Sequence, residues 1–264
     1  MSGPAASLHL ADMTWPEIAA AASRNCPVVL TIGACEQHGP HLPVSTDSIL
    51  PVAVAERASA TVPLVIAPPV TYGACSRPLI GGGESFPGTV SLRAATLIAL
   101  LKDVLCGLAK SGFRQIVVLN WHLENAGYLW EACDLASASS PDARFLLLEN
   151  PFPDFSPAEV AEIFPHGFQG WEVEHASVVE TSMMMVVRPD LLRCDRIVDD
   201  SAERSPSWDV IPAPAEFVPK SGVLARASHA TEQAGHVLLN GAVGRLIEAI
   251  QTEFDLDQAR AGES

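Results

Sequence analysis

Two short segments of the chain pair a carboxylate with an imidazole at a spacing that suits metal binding. Glu36 and His38 stand two positions apart in "CEQHGPHLP", and His122 and Glu124 do the same in "NWHLEN". Side chains at positions i and i+2 of an extended backbone point to the same side. Each pair can therefore present one nitrogen and one oxygen ligand to the same ion.

A third carboxylate, Asp47, follows the first segment at the predicted start of a helix. If it faces the same crevice as the two pairs, three carboxylates share one shielded place and repel one another. Two divalent cations about 3.5–4 Å apart, each held by nitrogen and oxygen ligands, would relieve this repulsion. A single His-x-Glu pair is more often an ordinary hydrogen-bonded pair. The residues alone therefore leave a structural role as open as a dinuclear metal site.

Short runs rich in β-branched residues alternate along the chain with segments of helical apolar spacing. We predict strands at 26–34, 64–70, 113–120 and 144–150, and helices at 47–60, 91–112, 125–138 and 231–254. This alternation predicts a single α/β domain over residues 1–264, with three α/β/α layers and a largely parallel central sheet. Both ligand pairs follow predicted strands, and open α/β sheets bind ligands at the carboxyl ends of their strands.

The composition limits the kinds of partner. Of the 264 residues, 48% are hydrophobic, and the formal net charge is −15. This charge argues against nucleic acid and anionic membrane surfaces, because both select for basic patches. The sequence shows no apolar run long enough to span a membrane, and its first residues lack the features of a signal peptide. Six cysteines without a CxxC pair are typical of reduced thiols, so we expect a cytoplasmic protein.

Several segments of the chain, in order, resemble the creatininase (creatinine amidohydrolase) family. They are "GACEQHGPHLPVSTDSIL", "GGGESFPGTVSL", "NWHLEN", "GWEVEHASVVETSMMMVVRPDLL" and "ASHATEQAGHVLL". The similarity extends from about residue 26 to 250, and "NWHLEN" is most similar to the creatininases proper. The resemblance implies a metal-dependent hydrolase of α/β/α fold, assembled as a homohexamer. Its substrate would be a small cyclic amide, either creatinine or a related lactam or cyclic urea, whose C–N amide bond it opens.

The resemblance also implies roles for individual residues. Glu36 and His122 would bind one metal ion, His38 and Glu124 the other, and Asp47 would bridge both. The ions would be zinc, with manganese able to occupy one position. A hydroxide held between them would attack the amide carbonyl, with Glu124 at the reacting centre. His175 in "GWEVEHASVVETS" would donate the proton that the departing nitrogen needs, since histidine titrates in the right range.

The walls of the implied pocket differ from those of creatininase. The residues expected to contact substrate are Trp171, Glu172, Leu123, Glu180 and Phe152. Departures from the family pattern fall at Trp121, Leu123, Phe152 and Glu172, which leaves the substrate open because single wall contacts can change discrimination by orders of magnitude. Two alternatives follow from this. One is another hydrolase of the family, such as a deformylase or a peptidase acting on a modified peptide. The other is a catalytically silent metal-binding protein.

Overall fold

A parallel four-stranded sheet forms the centre of the molecule. The computed structural model describes residues 8–77, 83–201, 210–211, 218–254 and 256. Its strands are β1 (Val28–Ile32), β2 (Val65–Ile66), β3 (Gln115–Asn120) and β4 (Arg144–Leu148), in the spatial order β2-β1-β3-β4. All three strand pairs are parallel, which confirms the predicted sheet. Strand β2 is shorter than the predicted 64–70 because Pro68 and Pro69 have no amide hydrogen to donate to the ladder.

Within the described ranges, helices cover both faces of this sheet. They are α1 (Trp15–Ser23), α2 (Thr46–Ala58), α3 (Ala94–Lys110), α4 (Ala126–Ser139), α5 (Pro157–Ile163), α6 (Val178–Val187) and α7 (Glu232–Glu253). The four predicted helices correspond to α2, α3, α4 and α7, with ends shifted by a few residues. Helices α1, α5 and α6 were not predicted. The first two are short and begin with capping boxes. Most of α6 is buried, so it lacks the one-sided apolar pattern of a surface helix.

The alternation of side chains along the central strands divides the core into two layers. Leu30 and Val118 point to the side covered by α1, α3 and α4, whereas Val29 and Val117 point to the side covered by α2, α6 and α7. The predicted three-layer α/β/α architecture is therefore confirmed. None of the helices in the described ranges combines the length and apolarity needed to cross a bilayer.

The strand order has a consequence for ligand binding. From β1 the chain continues outward to β2, and from β3 it continues in the opposite direction to β4. Doubly wound sheets bind ligands at such a reversal point, just beyond the carboxyl ends of the two central strands. Here these ends lie side by side, since Ile32 of β1 pairs with Asn120 of β3.

Candidate metal centre and active site

The ends of β1 and β3 bring the two predicted ligand pairs together. The loop after β1 carries Glu36 and His38, and the turn after β3 carries His122 and Glu124. Asn120 shapes this turn, because its amide donates to the His122 carbonyl at 2.8 Å and accepts from the His122 N–H at 3.2 Å. The two segments therefore meet at this edge of the sheet.

Helix α2 brings Asp47 to the same place. Asp47 lies in the first turn of this helix, where the helix dipole favours a negative charge. The helix start can approach the end of β1 only because residue 33 is glycine. A Cβ on Gly33 would lie 2.1 Å from the backbone oxygen of Asp47. Any larger residue at position 33 would therefore move Asp47 away from the centre.

Asp47 occupies the middle of the buried cluster. Its Oδ1 lies 3.1 Å from Nε2 of His38, and its Oδ2 lies 3.4 Å from Nδ1 of His122. Glu36 approaches the same His122 nitrogen at 3.1 Å through Oε2. The two oxygens of the Asp47 carboxylate thus face two different imidazoles. Among the residues that the structure describes, two groups of side chains have the geometry to hold an ion, namely Glu36, Asp47 and His122, and His38, His175 and Glu180.

Hydrogen bonds to backbone carbonyls orient both imidazoles. Nδ1–H of His38 donates to the carbonyl oxygen of Glu36 at 3.0 Å, and Nε2–H of His122 donates to that of Ala74 at 3.1 Å. Because a carbonyl oxygen only accepts, these bonds leave Nε2 of His38 and Nδ1 of His122 available for an ion. Both available nitrogens face Asp47. Metal-binding histidines typically use one nitrogen for the ion and donate the other N–H to an acceptor in this way.

The buried charges of the cluster shift one another's pKa values. Burial alone raises the pKa of Glu36, but the charges of His175, His122 and His38 outweigh it and lower the pKa to about 2. Burial alone lowers the pKa of His38, but the Glu180 and Asp47 carboxylates outweigh it and raise that pKa well above its usual range. The ionised Glu36 carboxylate thus favours positive charge on the buried histidines around it.

The positions of the Glu124 and Glu180 carboxylates differ from those that the predicted ligand pairing implies. Oε1 of Glu124 accepts from the Arg77 N–H at 3.0 Å, and its Oε2 lies 3.5 Å from Nε2 of His122. The second carboxylate at His38 is instead Glu180, whose Oε1 lies 3.3 Å from Nε2. The predicted assignment of His38 and Glu124 to one ion stays a prediction.

A cavity of about 120 Å³ opens over the cluster. The predicted site residues that line it are Glu36, Asp47, His122, Leu123, Glu124, Phe152, Trp171, Glu172, His175 and Glu180. His38 lies behind this lining and is buried. The rings of Phe152 and Trp171 stack in parallel with centroids 4.8 Å apart, and Trp121 meets Phe152 edge-on. Leu123 is 48% exposed and forms part of the rim.

The structure also places three residues at the site that sequence reasoning missed. The hydroxyl of Ser76 donates to Oε1 of Glu36. Asn125 joins three segments, because its amide donates to the Gly33 carbonyl at 3.1 Å and accepts from the Ala74 N–H at 2.8 Å. Glu174 lines the cavity, and burial raises its pKa to about 7. Asn125 lies in "NWHLEN" and Glu174 in "GWEVEHASVVETS", two segments that resemble the family motifs. Ser76 lies in none of the segments that carry this resemblance.

The comparisons with known proteins agree with this architecture. The creatininase family model, described as creatinine amidohydrolase, matches residues 11–250. A creatinine amidohydrolase from Pseudomonas putida is 36% identical over 256 residues, which cover 94% of this chain and 98% of that protein. A mycofactocin precursor peptide peptidase from Mycolicibacterium smegmatis is 30% identical over 233 residues, which cover 83% of each chain.

Solved structures show the same similarity in three dimensions. A crystal structure of creatinine amidohydrolase (creatininase) has a TM-score of 0.90 and 34% identity, and the match covers 95% of this chain and 99% of that one. A Zn–Zn form of a glutamate-to-glutamine creatininase variant and a manganese form of creatininase each have a TM-score of 0.89 and 35% identity. They match 95% and 94% of this chain, respectively, and 99% of their own. The chain belongs to the creatininase family.

Proposed function

We propose that the protein is a metal-dependent amidohydrolase that opens the C–N amide bond of a small cyclic amide, either creatinine or a related lactam or cyclic urea. The observation that carries the proposal is the position of Asp47, which turns one oxygen toward His38 and the other toward His122. Asp47 would bridge two divalent ions, with Glu36 and His122 on one ion and His38 and Glu124 on the other. Zinc is the expected metal, with manganese possible at one position.

The residues suit such ions. Among the described residues, Oδ2 of Asp47 is buried and has no hydrogen-bond partner. A buried acceptor without a partner costs about 1–3 kcal/mol, or more when it is charged, and an ion would remove this cost. When bound, a pair of divalent cations supplies a water of lowered pKa and stabilises negative charge on the carbonyl oxygen of the substrate.

Side chains of the protein would supply the proton donor and the substrate contacts that the reaction also needs. His175 lines the cavity beside the cluster, where it can deliver a proton to the departing nitrogen. The stacked rings of Phe152 and Trp171 form an apolar wall for a flat ring. Glu172 and Leu123 lie on the lining and can contact polar and apolar edges of the substrate. The cavity volume of about 120 Å³ suits a small substrate.

A peptidase acting on a modified small peptide is the second candidate. It is favoured by the similarity to the mycofactocin precursor peptide peptidase and by the exposed Leu123 on the rim, where a longer substrate could extend. Both candidates would use the same metal centre, and they would differ in the length of the substrate that the cavity rim admits. A substrate panel therefore separates them.

Metal analysis and a substrate panel test the proposed function. We expect about two divalent ions per chain in protein purified with zinc, and loss of hydrolysis after chelation with recovery on adding zinc or manganese. The panel contains creatinine, small lactams, hydantoins and short peptides, and ring opening of a cyclic amide is the expected activity. Full activity in protein stripped of metal would refute the assignment, and hydrolysis of the peptides alone would favour the second candidate.

We further propose that the protein is cytoplasmic and assembles as a homohexamer. Large apolar side chains lie on the described surface, including Trp15 at 81% and Trp130 at 60% exposure, and burial between subunits would remove them from water. Light scattering at micromolar concentration is expected to give the mass of six chains. A monomer at that concentration would contradict the proposal.

A further inference from the structure

The side chain of His175 is held through one of its two nitrogens. Its Nε2 lies 2.8 Å from the backbone oxygen of Gln37 and 2.9 Å from Nε2 of the Gln37 side chain. Gln37 stands between Glu36 and His38 in the sequence, is buried, and has no role in the proposed function so far. One residue thus offers the same imidazole nitrogen both an acceptor and a donor.

The amide of Gln37 is fixed in the orientation that this contact requires. Its Oε1 accepts from the Gly39 N–H at 2.9 Å, and its Nε2–H donates to the Gly222 carbonyl at 2.8 Å. The same amide nitrogen lies 2.9 Å from Nε2 of His175. The Leu224 N–H, two residues beyond Gly222, donates to the His175 carbonyl at 3.2 Å. Gln37 therefore holds the ring of His175, and the loop at 222–224 holds its backbone.

We propose that Gln37 is the positioning residue of His175. Because Gln37 occupies Nε2 of the ring, the proton is delivered from Nδ1. Delivery starts from the doubly protonated ring, which gives its Nδ1 hydrogen to the departing nitrogen and keeps the hydrogen on Nε2, where the backbone carbonyl of Gln37 accepts it. When Nε2 is bare, the Gln37 amide donates to it, and the hydrogen of the neutral ring is then on Nδ1. Gln37 supports both proton arrangements without moving the ring. This inference rests on the proposed function, in which His175 gives a proton to the departing nitrogen.

The replacement Gln37→Met tests the proposal, because it keeps the side-chain length and removes the amide. Only the acceptor at Nε2 then remains, so the neutral ring should shift toward the form with hydrogen on Nε2. Solid-state NMR of protein labelled with 15N in histidine reports this as a change of the two ring nitrogen shifts of His175, which are assigned by their loss in His175→Asn. In parallel we expect kcat to fall by about 10- to 100-fold, because the ring loses one of the two contacts that hold its orientation, with bound metal and KM nearly unchanged.

Two further variants make the test specific. Gly222→Ala places a Cβ 1.9 Å from Oε1 of Gln37 and must displace the amide, so it should reproduce the NMR change. Gln115→Met makes the same chemical change at a buried glutamine at the start of β3, the end of the strand away from the site, and should leave both readouts unchanged. Unchanged nitrogen shifts in Gln37→Met, or an equal loss of kcat in Gln115→Met, would overturn the proposal.

The NMR measurement also separates this inference from the proposed function, because it needs no turnover. A wild-type protein that hydrolyses no amide would refute the proposed function. A tautomer shift in Gln37→Met would still support the positioning of His175, and unchanged shifts would refute that positioning whatever the activity of the wild type.

Discussion

Replacing His175 with Asn should lower kcat by about 10²- to 10⁴-fold, which is the usual contribution of a positioned acid–base group. An amine leaves an amide carbon only when its nitrogen is protonated, and asparagine cannot deliver that proton. His175 lies on the cavity lining, with its ring centroid 4.5 Å from that of His38. Since the five proposed ligands are unchanged, metal content should stay at the wild-type level and KM should change little. Steady-state kinetics and metal analysis of the same preparation measure these effects.

His236 on α7 provides the control, because it is an exposed histidine outside the cavity. The variant His236→Asn should retain wild-type kcat. Loss of metal from His175→Asn would show that His175 is a ligand, as its grouping with His38 and Glu180 permits. If this variant keeps nearly full kcat, the proton comes from another group, and Glu174 on the cavity lining becomes the candidate to test.

The variant Asp47→Asn should lose metal first and activity as a consequence. An amide has one oxygen and no charge, so it cannot face both imidazoles with an anionic oxygen as Asp47 does. Changes to residues that merely support a ligand weaken metal binding by about 10- to 100-fold, so loss of the bridging ligand should cost more than about 100-fold. Titration with zinc under competition by a chelator measures the affinity, and kcat is measured at saturating zinc.

The matched control is Asp103→Asn, which makes the same change at an exposed position of α3 and should leave zinc affinity unchanged. Circular dichroism of both variants checks that the fold is retained. Wild-type zinc affinity in Asp47→Asn would contradict the central position given to Asp47. Together with His175→Asn, this variant separates metal binding from proton transfer, because both changes should lower activity but only Asp47→Asn should lower zinc affinity.

Local patterns in the sequence determined the sheet, four of the helices and the two ligand pairs. β-Branched runs, helical spacing and the i, i+2 pairs depend on residues close in the chain, so they are visible without tertiary structure. The family motifs added His175 and the pocket residues Trp171 and Glu172. Most of the residues predicted for the site do line one cavity.

Only the tertiary structure decided how these groups meet. The adjacency of β1 and β3 follows from sheet order, and Gly33 permits the approach of α2 that places one Asp47 oxygen at each imidazole. The contact of Glu180 with His38 and that of Gln37 with His175 join residues more than a hundred positions apart. Such contacts depend on the packing of α6 and its preceding loop against the end of the sheet. No short-range spacing encodes that packing, because it results from burial summed over the whole core.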